Sequence, residues 1–156
     1  MSHAANRLFV PESVHVARTL LNELRSAHRR LIAEMAAMDR LTSEDAADTA
    51  SCASARWRLG QASLQRRLIT ARTCDYFIHR LDADRCDQLK RLILADQALL
   101  RESSAHLGRW STSALQEDWA GFRRDSHDLH RKKHGQIAAE QKLLYPMLQD
   151  AARLAA

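Results

Sequence analysis

The chain is 156 residues long and carries Lys+Arg 24 against Asp+Glu 19, a formal net charge of +5, with only 4 glycines, 2 prolines and 3 cysteines. That length suits one domain able to bury roughly two-thirds of its unfolded surface without a disulfide staple, and the scarcity of Gly, Pro, Val and Ile excludes a strand-rich chain. No run of about 18 apolar residues and no basic-then-apolar leader occurs, so no membrane partner and no signal peptide are expected; Cys52, Cys74 and Cys86, without a CxxC pair, read as reduced thiols of a cytoplasmic protein.

Residues 1–11 lack periodicity and end at Pro11, which reads as an N-terminal tail. Ser13 is a candidate cap for the first helix. From there Ala17, Leu21, Leu24, His28, Leu31, Met35 and Met38 recur in alternating steps of four and three, a seam that places all seven on one helical face. This helix should stop near Asp39–Thr42, before the polar, cap-rich stretch 42–51. A second helix is expected over about 52–80, its seam read as Trp57, Gly60, Leu64, Arg67, Ala71, Cys74 and Ile78. A turn at Asp82–Asp84 leads to a third helix over about 84–110, with Leu89, Leu92, Ile93, Leu99, Leu100, Leu107 and Trp110 on its apolar side. Ser113 and Gln116 form a capping-box pattern for a fourth helix that runs to about residue 150 and carries Trp119, Phe122, Leu129, Ile137, Leu143, Leu144 and Met147. Four long amphipathic helices with short links predict an all-α, antiparallel up-down-up-down four-helix bundle over 12–150, with 151–156 as a C-terminal tail.

The string Glu140-Gln-Lys-Leu-Leu-Tyr-Pro-Met-Leu148 resembles the end of the ligand helices of the hemerythrin-like (HHE cation-binding) family, whose pattern is close to His-x-x-x-Glu-Glu-x-x-Leu-Phe/Tyr-Pro-x-Leu. His28, within Ala-His-Arg-Arg-Leu, is similar to that family's first-helix histidine, and Arg56-Trp57-Arg-Leu59, Arg109-Trp110 and Asp118-Trp-Ala-Gly-Phe122 look like one of its bacterial branches. The resemblance spans most of 14–150 and implies a hemerythrin-like bundle. It implies metal-ligand positions at His28, His106 and Glu140, with Asp96 and Glu34 as further oxygen donors. It also implies that the ligand set is depleted, because Arg67 and Ala71 stand where His-x-x-x-Glu is expected and Gln136 stands in a histidine slot. A di-iron centre needs several His and carboxylate groups converging from all four helices. Neutral Gln is a poor ligand, and Arg is a permanent cation that repels metal. No cofactor is therefore expected, with iron as the alternative, and Arg67 is expected to replace the metal's charge by pairing with Glu140.

His127, His130 and His134 fall within a 60° arc of the last helix, on the side away from Gln136 and Glu140. Beside Arg131-Lys132-Lys133 they read as an exposed polar stripe. Trp57, Trp110 and Trp119 read as core or helix-end packing. No nucleophile elbow, glycine-rich phosphate loop or His-Glu-x-x-His string is present, so no enzyme is expected. The function expected is a non-enzymatic binding or regulatory protein acting on a protein partner or on its own copies. The alternatives are a hemerythrin-like sensor or carrier of O2, NO or iron with a reduced ligand set, and a basic helical nucleic-acid binder without a recognisable reading motif.

Overall fold

The long seam of the first helix survives intact into three dimensions. In the computed structural model, which describes residues 12–153, α1 spans Glu12–Thr42 and buries Ala17, Leu21, Leu24, His28, Leu31, Met35 and Met38. The helix starts one residue ahead of Ser13 and stops where the Thr42 hydroxyl turns back to donate to the Met38 carbonyl, 3.0 Å away. A second helix, α2, spans Thr49–Ile78 and is capped by Asp48, whose carboxylate accepts from the Ser51 amide at 3.0 Å. The third, α3, spans Ala83–Arg109 behind the Asp82 cap.

The last helix differs from expectation at both ends. A six-residue helix, α4, covers Thr112–Glu117 behind the Ser111 cap, so Ser113 is not the cap. The chain then breaks at Asp118 and restarts as α5, Trp119–Arg153. The Asp118 carboxylate accepts from the Gly121 amide at 2.9 Å, satisfying one of the donors a helix start leaves free. α5 continues through Pro146 and is described as far as Arg153, so 151–153, read as tail, are helical. Residues 1–11 and 154–156, read as tail, lie outside the described residues. No strand occurs among the described residues, and no helix is long and apolar enough to cross a membrane.

α1 packs along both α2 and α5, and α5 also carries α3, whereas α2 and α3 meet only sparingly. The apolar core is divided along the helices. At one end Leu20, Leu21 and Leu24 meet Ile69, Phe77, Leu89, Leu92, Leu144 and Leu148. At the other, Met38, Ala55, Trp110, Leu115 and Phe122 pack together, with Trp119 stacked on Phe122. Each buried Leu or Phe contributes about 1.5–3 kcal/mol relative to exposure. Between these ends lies a smaller group of Leu31, Met35, Ala62 and Ile137, and beside it a layer of buried polar residues.

The second and third helices correct the expected seams. α2 turns Cys52, Ala55, Ala62, Arg66, Ile69, Thr70, Thr73, Cys74 and Phe77 inward. Its seam is thus rotated by about 100°, one residue, from the line through Gly60, Leu64, Arg67 and Ala71. Trp57 is 67 % exposed and Leu64 42 %, so neither is core. Small inward residues let α2 lie close to α1, and that closeness selects the face over the larger side chains. In α3 only Leu89, Leu92 and Leu99 are buried, while Leu100 and Leu107 face outward.

Candidate functional site

One buried carboxylate organises the polar layer. Glu140, on α5 between Ile137 and Leu144, is fully buried. Its Oε2 lies 2.6 Å from His28 Nε2, and its Oε1 accepts from the Arg66 guanidinium and from Gln136 Nε2 at 3.2 Å. Arg66, also buried, donates through its other terminal nitrogen to Asp96 Oδ1 at 2.5 Å. The His28 ring closes the set on the far side, with Nδ1 2.7 Å from the Tyr145 hydroxyl. The simplest proton placement gives His28 an Nε2–H that donates to Glu140 and an Nδ1 that accepts from Tyr145. Burial holds the Tyr145 phenol above its usual range, which favours it as that donor.

These contacts have a clear energetic logic. A lone buried carboxylate would cost several kcal/mol. Here a permanent cation, an imidazole N–H and an amide N–H all converge on it. All four long helices contribute: His28 from α1, Arg66 from α2, Asp96 from α3, Gln136 and Glu140 from α5.

Sequence reasoning located this layer but mistook one residue in it. Arg67 was expected to bond Glu140; Arg66 does so instead, and Arg67 turns toward a neighbouring cavity where its buried Nε has no partner. Ala71 is exposed, and Thr70 takes the inward place, its hydroxyl also without a partner. Gln136 lies beside Glu140 as expected. His106 does not join them. Ten residues along α3 from Asp96, about 15 Å by helical rise, it faces Ser126 Oγ at 3.3 Å and packs on Phe122. Burial, with Arg56 adding repulsion, pushes His106 down to about 4, so its ring is neutral at ordinary pH. Glu34 is tied to Arg58 near the surface. Tyr145 was overlooked, although it sits inside the Leu-Tyr-Pro string that suggested the family.

The three proposed metal ligands are not brought together. His28 and Glu140 touch, His106 is remote, and a guanidinium bonds both carboxylates a cation would need. Among the described residues no group of three or more His, Cys, Asp or Glu converges on one point. The positive charge beside these carboxylates is supplied by Arg66.

The histidine stripe is corrected too. His130 is buried, its Nδ1 2.7 Å from Asp39, and only His127 and His134 are exposed. Lys133, expected at the surface, is 7 % exposed, and its ammonium donates to Ser63 Oγ at 3.0 Å. Burial, with Arg66 and Arg67 nearby, lowers it to about 8. Cys74, buried and close to Glu140, is pushed up to about 12 and is no nucleophile at neutral pH.

Beside this layer lies a cavity of about 240 Å³. Its walls are Leu31, Leu59, Leu99, Phe122 and Leu129, and Arg66, Arg67 and Lys133 stand at its polar end. Comparison of the chain with protein-family models, with curated proteins and with solved structures finds no match.

Proposed function

We propose that the chain is a divergent hemerythrin-like, antiparallel up-down-up-down four-helix bundle. In this reading the position of the family's di-iron centre has become an arginine–carboxylate cluster, and the protein works as a non-enzymatic binding or regulatory protein. One observation carries the reading: the Arg66 guanidinium joins Glu140 of α5 to Asp96 of α3, with His28 on the remaining carboxylate oxygen. A ligand set of histidines and carboxylates has open lone pairs that a metal can use. This one has its lone pairs taken by fixed N–H donors. Helix packing that once had to leave room for ions would then be free to serve recognition. The pattern Glu140-x-x-x-x-Tyr145-Pro146 and the seam position of His28 supply the link to the family.

Two alternatives are weaker on the same geometry. A reduced-ligand iron sensor needs Arg66 displaced. A nucleic-acid face needs a free basic stripe, but Arg131 pairs with Asp128, Lys132 with Glu102 at 2.5 Å, and Lys133 is inside.

The deciding experiment is metal content and visible spectrum of protein expressed with added iron, for the natural sequence and for Glu140→Ala. Substoichiometric iron and no oxo-bridge absorption are expected for both. Stoichiometric iron in the natural protein, lost in Glu140→Ala, would overturn the reading.

A further inference from the structure

The 240 Å³ cavity has a charge imbalance. Four cations, Arg56, Arg66, Arg67 and Lys133, line it; Arg66 bonds two carboxylates, Glu140 and Asp96, and Arg56 donates to the Trp110 carbonyl. Arg67 Nε is buried without a partner, and Lys133, nine-tenths buried, meets only the Ser63 hydroxyl. No Asp or Glu lines the cavity; its other polar side chains are the hydroxyls of Ser63, Ser103, Ser104 and Ser126 and the rings of His106 and His130. Positive charge is therefore in excess in a place where unpaired charge is expensive.

The rest of the cavity is apolar. Leu31, Met38, Leu59, Leu99, Phe122 and Leu129 form its body, and exposed Leu100 and Leu107 form a greasy rim. Exposed Gly60 of α2 lines it as well, and nothing lies within 4 Å of where its side chain would stand. An apolar cavity of about 150 Å³ accepts benzene; this one has room for a chain of roughly eight to ten carbons with a small head group.

From these features we propose that the cavity binds a free monocarboxylate with an apolar body, its head group bridging Lys133 and Arg67 and its chain lying between Leu59, Leu99 and Phe122. One anionic charge offsets part of the excess, and the unpartnered Arg67 N–H gains an acceptor. The inference rests on the binding-protein reading and names its ligand class.

Calorimetric titration tests it, with sodium octanoate as probe and octanol, octylamine and inorganic phosphate as controls. Octanoate is expected to bind at least about tenfold more tightly than each control, since hydrogen bonds to charged groups dominate discrimination. Lys133→Met and Arg67→Met should each weaken octanoate about tenfold to a hundredfold. Gly60→Leu, which adds bulk to the cavity wall without touching a charge, should abolish binding while circular dichroism stays unchanged. Octanol binding as well as octanoate, phosphate binding as well as octanoate, or no binding of octanoate to the natural protein would each overturn the assignment. Iron content measured on the same preparation keeps the two inferences apart. Iron-free protein that ignores octanoate refutes only the ligand, whereas stoichiometric iron refutes the binding-protein reading.

Discussion

Lys133 shows how a single side chain can cost stability and serve recognition. Its position in the sequence, within Arg131-Lys132-Lys133, reads as surface charge, yet the α5 periodicity that buries Ile137 and Glu140 also carries Lys133 inward. Nothing in local composition distinguishes it from its neighbours; only the seam through Ser126, Leu129 and Lys133 could have done so. Its ammonium titrates near 8 in the folded chain, below the ordinary lysine value of 10.5, because burial and the cations Arg66 and Arg67 oppose the charge and Asp96 only partly offsets them. Between pH 8 and 10.5 the unfolded chain therefore holds a proton that the folded chain has released, and stability rises with pH across that window. Below pH 8 the penalty is constant, about 3 kcal/mol at 1.36 kcal/mol per pKa unit. Lys133→Met should thus raise the urea midpoint at pH 7, and the gain should shrink as pH approaches 10. A variant less stable than the natural protein at pH 7 would contradict this account. His106 acts in the opposite region: held near 4 by burial, it subtracts stability as pH falls from 6.5 toward 4.

The helices themselves were legible to different degrees. Large apolar residues mark the inward face of α1, and its seam can be read directly from the sequence. In α2 the inward face is built mostly of Ala, Cys, Thr and one Arg, with Ile69 and Phe77 its only large apolar residues, while Trp57, Leu64 and Leu68 stand exposed. Hydrophobic periodicity follows side-chain size, so it chose the wrong face there by one residue, and Arg66 was exchanged for Arg67. The break before α5 was also hidden, because Ser113–Gln116 imitates a capping box two residues past the Ser111 cap of α4 and ahead of the Asp118 cap of α5. Gly121 is part of that boundary. A Cβ on it would come within 2.2 Å of Asp118 Oδ2, so any side chain there must expel the capping carboxylate. Asp118→Ala and Gly121→Ala should each cost about 1–2 kcal/mol. Combined, they should cost clearly less than their sum, since both remove one interaction. Additive losses in chemical denaturation would show that the two residues act separately.

At the scale of the whole molecule, the division of the core matters most. Two apolar ends hold four helices in register, and the polar layer between them brings α1, α2, α3 and α5 to one carboxylate. The all-helical class and the inward place of His28 follow from pattern alone. The cavity does not, since it depends on how far α2 and α3 stand apart, which no single helix records.

The account stands on the pairing of Arg66 with Glu140, and a double-mutant cycle measures that pairing directly. Arg66→Met and Glu140→Leu should each destabilise the chain by about 3–5 kcal/mol, because each leaves a buried charge without its main partner. The double variant should recover roughly 2–3 kcal/mol of that sum. Losses that add within about 0.5 kcal/mol would show that the two side chains do not depend on each other, and would contradict the arginine-centred core.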